Sequence, residues 1–246
     1  MQVQRFKIFF LAVSIWIVAI NPTLGGEVEP SNAKAFQSLY KLEVEKTAYE
    51  IDETHFAEVW SRHHFHDGVH EYLSVFVQVQ KLDEEKRLIN CHGCTASIDV
   101  ITYKNSHDDW VHLSTQKNIT QLGSFGRVGE VSSPFMLRLS KGNSLLLIPE
   151  HGFGQGTSSS GLSLLNFYKG NWRDVGYLET SGDNLGDCGP ELLSERSCYS
   201  YSSELSIATN RQNGFPDLFL KRDGRTYQGI SNSVTYRFNG QTYVAK

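Results

Sequence analysis

Histidines give this sequence its clearest candidate for chemistry. The segment RHHFHDGVH places four histidines within eight residues, from His63 to His70. On a strand His64 and His66 lie on the same face, and Asp67 and His70 follow closely enough to complete a zinc shell. A zinc-dependent hydrolase built on this segment is therefore the alternative function. Because the spacing matches no established zinc signature and an exposed loop explains it equally well, we predict no bound metal and no cofactor.

Other motifs for catalysis are incomplete. GTSSSG, residues 156–161, has one residue more than the G-x-S-x-G nucleophile elbow, and strand-like LSLLNF follows where a helix is required. The glycines of HGFGQG, residues 151–156, also precede no helix, so they do not predict a phosphate cradle. We interpret both stretches as flexible loop. No carboxylate pair stands out along the chain, although distant strands can bring two together, and we predict no catalytic residue.

Four cysteines, an even number, indicate disulfides in an exported protein: Cys91, Cys94, Cys188 and Cys198. Three pairings are possible. Short loops close easily, so proximity favours Cys91 with Cys94 and Cys188 with Cys198. The CHGC stretch is alternatively a redox dithiol, but the sequence after it is strand-like rather than helical. Haem attachment is excluded because Thr95, not histidine, follows the second cysteine.

The N-terminus has the pattern of a secretory signal peptide. Arg5 and Lys7 precede an uninterrupted apolar run of 13 residues that ends at Ile20, whereas a bilayer-spanning helix needs about 20. We predict a signal peptide over residues 1–25 and a single β-rich domain over residues 26–246. No cysteine near the predicted cleavage site can accept a lipid, so we expect no membrane anchor after cleavage and a periplasmic or secreted protein of a bacterium.

The charge of the chain argues against a nucleic-acid partner. The formal net charge is -4, and removal of Arg5 and Lys7 with the signal peptide lowers it to -6. Phosphate binding needs clustered lysine and arginine. With 39% hydrophobic residues, the chain can still bury a substantial core.

Helical character is confined to the beginning of the domain. SNAKAFQSLYKL and DETHFAEVWSR, within residues 31–62, both predict short helices, the second with Asp52 as its N-cap. From Glu71 onward, short runs of Val, Ile, Leu, Phe and Tyr alternate with Gly, Asn, Ser and Asp. This texture is typical of antiparallel strands joined by tight turns.

A repeated hairpin pattern runs through the β region. An apolar strand, a polar turn and a restart on an aromatic residue recur at Trp110, Trp172 and Tyr243, which are 62 and 71 residues apart. A second hairpin precedes each of the last two copies, and two hairpins make the four-stranded blade of a β-propeller. We predict a propeller-like fold, open or incomplete unless residues 40–90 add a divergent blade. A β-sandwich is the alternative.

NGFPDLFL, within residues 120–246, resembles the signature of FG-GAP repeats, the calcium-loop blades of integrin-type propellers. The resemblance implies calcium ligands at four loop positions, which here are Thr209, Arg211, Asn213 and Asp217. Arginine carries no acceptor, so we expect a degenerate loop that keeps its turn at Gly214 and binds no calcium, with Asp217 paired to Arg211.

These features together favour binding over catalysis. Small exported β modules of this kind resemble periplasmic inhibitors and immunity proteins that block a hydrolase or a toxin, an analogy at the level of the fold. We therefore expect a non-enzymatic protein that recognises another protein.

Overall fold

The computed structural model describes residues 29–42, 48–106, 109–129, 134–188, 198–212, 214–226 and 231–246. The predicted signal peptide lies outside these ranges, and so does Asn213 of the stretch that resembles a degenerate calcium loop. Within them the chain forms one short α-helix and two antiparallel β-sheets. No helix in the described part of the chain is long and apolar enough to cross a membrane.

The helix α1 spans Asn32–Tyr40, as the first helical pattern predicts. Its N-cap Ser31 accepts a hydrogen bond from the Lys34 N–H, and Lys41 ends it in the left-handed conformation with φ 62°. Such caps satisfy backbone groups that a helix end leaves open. The helix buries Ala35, Phe36 and Leu39 on one face.

The first sheet has five strands in chain order: β1 Ala48–Glu50, β2 His55–His66, β3 Glu71–Lys81, β4 Ala96–Ser106 and β5 Asp109–Leu122. The helix predicted for DETHFAEVWSR is therefore wrong, because most of it belongs to β2, which pairs along its length with β3. Asp52 caps a turn instead, since its carboxylate accepts from the Thr54 N–H at 2.7 Å. Tertiary pairing overrides local helix propensity here.

The second sheet has eight strands, also in chain order. They are β6 Phe135–Ser140, β7 Asn143–Gly154, β8 Thr157–Tyr168, β9 Asn171–Asp183, β10 Ser200–Gln212, β11 Phe215–Arg225, β12 Ser233–Phe238 and β13 Tyr243–Ala245. The hairpins predicted at β6–β7, β8–β9, β10–β11 and β12–β13 are confirmed. Both glycine-rich stretches interpreted as flexible loop lie in the β7–β8 hairpin, so that interpretation was wrong.

Three apolar clusters hold the layers together. The first lies between α1 and the first sheet, around Phe36, Val75 and Trp110. The second lies between the first sheet and strands β7 to β9, around Phe76 and Trp172. The third joins strands β6 to β9 to strands β11 to β13 and is built from Leu139, Leu145, Leu147, Leu164, Val175, Leu178, Phe215, Leu218, Leu220, Phe238 and Tyr243.

Strand β9 pairs with β8 along one edge, but with β10 only from Ser181 to Asp183. The backbone groups on the rest of the edge that faces away from β8 need other hydrogen-bond partners. Side chains from the neighbouring layers supply them. Gln116 of β5 accepts from the Trp172 N–H at 2.7 Å and donates to the Trp172 carbonyl at 2.9 Å. Thr242 donates to the Val175 carbonyl at 2.8 Å. These bonds tie both adjacent layers to β9.

The three repeated aromatic residues occupy equivalent places. Trp110, Trp172 and Tyr243 are all buried, at the start of β5, β9 and β13. Each pairs with the residue five positions earlier, on the preceding strand. The chain thus contains three four-stranded units, β2–β5, β6–β9 and β10–β13. Among the described strands neither sheet closes into a ring, and the layered arrangement fits the sandwich alternative.

We predict that Trp172→Ala and Trp110→Ala each lower the free energy of unfolding by about 3 to 5 kcal/mol, the range for removing a buried large aromatic. Trp172→Phe should cost less, because it keeps most of the apolar contact and loses the hydrogen bond from Nε1 to the Ser74 hydroxyl at 2.9 Å. Urea unfolding measures these changes. Exposed Phe153→Ala is the control, and equal midpoints for all variants would contradict the packing described.

Candidate functional site

The histidines of the segment His63–His70, the basis of the alternative zinc function, have separate partners. His64 is exposed on β2, with Nε2 3.2 Å from Glu29 Oε1 and its ring edge-on to Trp110. His66 uses Nδ1 to accept a hydrogen bond from the Gly68 N–H at 2.9 Å. These contacts hold the two rings in different local environments.

Asp67 organises the β2–β3 turn. Its carboxylate accepts from the Val69 N–H, the His70 N–H and the Tyr72 hydroxyl at 2.8 to 2.9 Å. Burial raises the pKa of Asp67, but these hydrogen bonds outweigh it and the net pKa lies below the usual value. His70 Nδ1 is 4.0 Å from the same carboxylate. Across the described ranges, no three His, Cys, Asp or Glu side chains are arranged to hold a metal ion.

The stretch that resembles an FG-GAP loop is a plain hairpin at the positions described. Thr209 and Arg211 lie within β10, and Asp217 lies in β11. The Asp217 carboxylate is held by Arg237, with Arg237 Nη2 at 3.0 Å and Nε at 3.2 Å. The predicted pairing of Asp217 with Arg211 is therefore wrong. Arg211 donates instead to the carbonyls of Leu139 and Gly214.

All four cysteines form disulfides in the pairing favoured by proximity. Cys91 joins Cys94 with a Cα separation of 5.2 Å, and Cys188 joins Cys198 with a Cα separation of 6.1 Å. Disulfides of this kind are typical of proteins in an oxidising compartment. Residues close to each bridge, His92 and Gly186, contact the same structural element, the tip of the β7–β8 hairpin.

The hairpin tip turns through two residues, Gln155 and Gly156. Both have positive φ, 47° and 75°, which is the type I′ geometry that suits the twist of paired strands. Thr157 closes the turn by donating its hydroxyl to the Gly154 carbonyl at 2.6 Å. The tip is thus a regular hairpin end and carries Phe153 at its base.

The first disulfide-bonded loop contacts the tip through His92. A Cβ atom on Gly154 would lie 3.2 Å from His92 Cε1, so the absence of a side chain there lets the imidazole approach the strand. The His92 ring also packs edge-on against Phe125, with centroids 5.0 Å apart. The Cys94 carbonyl accepts from the Gly126 N–H at 2.8 Å, which fixes the neighbouring loop.

The segment that leads into the second disulfide, residues 184–188, contacts the tip at Gly156. The Gly186 N–H donates to the Gly156 carbonyl at 3.0 Å. A side chain on Gly156 would clash with the Asp187 carboxylate. Asn184 anchors this loop internally, because its Oδ1 accepts from the Tyr199 N–H at 2.7 Å. The β7–β8 tip therefore contacts segments next to both disulfides.

Apolar side chains project from this arrangement, which we call the stapled end: the β7–β8 tip, residues 91–94, 123–127 and 184–188. Phe153 is 71% exposed, Leu185 48% and Phe125 47%. Exposed aromatics on a rigid frame are typical of binding surfaces. Sequence reasoning missed them because HGFGQG was interpreted as flexible loop. The signal in the sequence that indicates this hairpin tip is a Gly-rich turn between two β-rich segments.

The fold also brings two carboxylates together across one glycine. Gly161 pairs with Glu150 on one side and with Glu179 on the other. The Ser163 hydroxyl donates to Glu150, and the Tyr201 hydroxyl donates to Glu179. Burial, followed by the charges of Glu150 and Glu179, raises the pKa of Tyr177 to about 12. Tyr177 thus stays protonated at neutral pH, and both acids are occupied by protein donors.

We predict that replacing both Cys188 and Cys198 by serine lowers the free energy of unfolding by about 2 to 4 kcal/mol, the chain-entropy value for a loop of this length. The paired Cys91→Ser and Cys94→Ser variant should lower the free energy of unfolding less, because the bridge that it removes closes a shorter loop. Hydrogen exchange at the Gly186 amide should accelerate only in the first variant. Unchanged exchange there would show that the bridge does not hold the loop against the tip.

Comparison with known proteins gives no relative from which a role could be transferred. No family model, curated protein or solved structure matches this chain. The functional assignment therefore rests on the geometry of the stapled end and on the chemistry of its side chains.

Proposed function

We propose that this protein is an exported, non-enzymatic binding protein whose stapled end contacts another protein. The observation that carries the proposal is the β7–β8 tip, which contacts segments next to two disulfides and presents Phe153 at 71% exposure. A single exposed apolar residue is ordinary on a protein surface. An aromatic residue on a cross-linked frame, with Phe125 and Leu185 in the adjoining loops, is a more specific indication of a binding surface.

Rigidity supports binding for an energetic reason. Ordering a loop on association costs conformational entropy, so a loop that is already fixed loses less on binding. At the stapled end the order comes from the two disulfides, the type I′ turn and the hydrogen bond from Gly186 to Gly156. Aromatic side chains bury a large area at low rotamer cost, which is why they dominate binding energy at protein interfaces.

The shape of the stapled end indicates what it would contact. A two-residue hairpin tip with an exposed aromatic fits a concave apolar site better than a flat surface. We propose a partner with such a cleft, as a hydrolase or toxin has, and therefore an inhibitor or immunity-type role. Export to the bacterial periplasm or beyond, after removal of a signal peptide, is part of the same proposal and is supported by the two disulfides.

We further propose that the three four-stranded units are propeller-like blades in an open array. The equivalent positions of Trp110, Trp172 and Tyr243 support this relationship, since each anchors the fourth strand of its unit to a neighbouring layer. Such an array leaves the hairpin ends free, and binding proteins of repeated β architecture use those ends.

We predict that Phe153→Ser lowers affinity for the captured partner by about 30-fold or more, the effect of removing an interface hot spot worth about 2 kcal/mol. Phe125→Ser should have a smaller effect of the same sign. The partner is captured from periplasmic extract with the mature chain, purified, and titrated by calorimetry against each variant.

The control is Tyr168→Ser, which removes an exposed aromatic at the far end of β8. This variant should bind as the parent does. Equal affinity for Phe153→Ser and the parent, or loss of binding in Tyr168→Ser alone, would contradict the assignment of the stapled end.

A further inference from the structure

A pocket of about 490 Å³ lies at the opposite end of the strands. It is formed where the β2–β3, β6–β7 and β8–β9 turns meet the end of β4 and the start of β5, between the two sheets. Its lining includes His70, Lys104, Leu113, Lys141, Tyr168 and Lys169. Strand β8 runs from the stapled end to this pocket over 12 residues, which at about 3.3 Å per residue separates the two by roughly 35 Å.

The charge of this pocket is opposite to that of the chain. Lys104, Lys141 and Lys169 come from three different elements, and none of them forms a salt bridge with a carboxylate in the described ranges. Asp67 is the acidic side chain of the described lining, and three hydrogen-bond donors already occupy its carboxylate. The pocket therefore has a net positive charge in a chain of formal charge -4.

The frame of the pocket is fixed by bonds between the sheets. Lys169 and Gly170 form a type I′ turn with φ 51° and 84°. The Ser114 hydroxyl of β5 donates to the Gly170 carbonyl at 2.6 Å. The Gly142 N–H donates to the Asp67 carbonyl at 3.3 Å. Because these contacts tie turns of both sheets together, the pocket exists without a ligand.

Apolar side chains complete the lining. Phe167 is buried at the base, while Leu113 and Tyr168 are partly exposed at the rim. Lys169 Nζ lies 5.2 Å from the centre of the Tyr168 ring. We propose that this pocket binds a small amphiphilic anion, an aromatic or aliphatic body that carries a sulfonate, sulfate, carboxylate or phosphate group. The lysines contact the anionic group, and Leu113, Phe167 and Tyr168 contact the apolar body.

The probe is 8-anilinonaphthalene-1-sulfonate, whose fluorescence rises in an apolar site, and its uncharged analogue is N-phenyl-1-naphthylamine. The folded mature chain should bind the sulfonate at one site and the uncharged analogue at least several-fold more weakly. Raising NaCl from about 20 mM to about 500 mM should weaken the sulfonate complex and leave the analogue unaffected, because salt screens exposed charges.

Variants separate this pocket from general attraction of anions. Replacing Lys104, Lys141 and Lys169 together by glutamine should weaken sulfonate binding about ten-fold or more, since each exposed ion pair contributes about two- to five-fold. The matched control replaces the exposed lysines Lys81, Lys86 and Lys221 by glutamine, which changes net charge equally and should leave affinity unchanged. Leu113→Ala should weaken sulfonate and analogue alike.

Equal losses in the two triple variants would overturn the proposal, because binding would then follow net charge alone. Equal affinity for the sulfonate and the neutral analogue would also overturn it. Near-ultraviolet circular dichroism of each variant shows that the packed core is retained, so that dye binding reports the native pocket. The stapled end is not involved, and its own variants leave this result unchanged.

Discussion

Burial of sheet faces against one another is the constraint on which this structure depends. Trp172 shows it most clearly, because its ring packs against Phe65, Phe76 and Phe167 between the two sheets. Its Nε1 donates to Ser74, which in turn contacts the Thr102 hydroxyl at 2.8 Å. One side chain thus joins the apolar core to a buried polar network, and a buried donor without such a partner would be costly.

This layered packing determines where function can lie. The inner faces of the sheets are covered by α1 or by another layer. The margin of β9 that β10 leaves unpaired is bonded by Gln116 and Thr242. The hairpin ends remain accessible. At one end the β7–β8 tip contacts segments next to two disulfides and carries the exposed Phe153. At the other end three lysines line a partly apolar pocket. The same strands therefore hold an apolar surface and a cationic pocket at a constant distance.

Much of this architecture is encoded locally, and that part can be predicted from the sequence. Alternating strands, short turns and the recurrent aromatic at Trp110, Trp172 and Tyr243 indicate hairpins, and cysteine proximity gives the disulfide pairing. The prediction of a helix for DETHFAEVWSR was wrong because its apolar spacing suits a helix, whereas pairing with β3 makes most of it a strand. Asp217 pairs with Arg237 rather than with Arg211 because the register of β11 and β12 places Arg237 beside it. A single sequence does not show that register. The stapled end depends on contacts between distant loops, so no local pattern predicts it.

The most direct test of the stapled end is photo-crosslinking in intact cells. A benzophenone side chain is placed at position 153, and separately at position 168 at the far end of β8. We predict that position 153 yields one dominant protein adduct, that the adduct is lost when Cys188 and Cys198 are replaced by serine, and that position 168 yields none. A dominant adduct from position 168 with none from position 153 would contradict the claim that this protein recognises its partner through the stapled end.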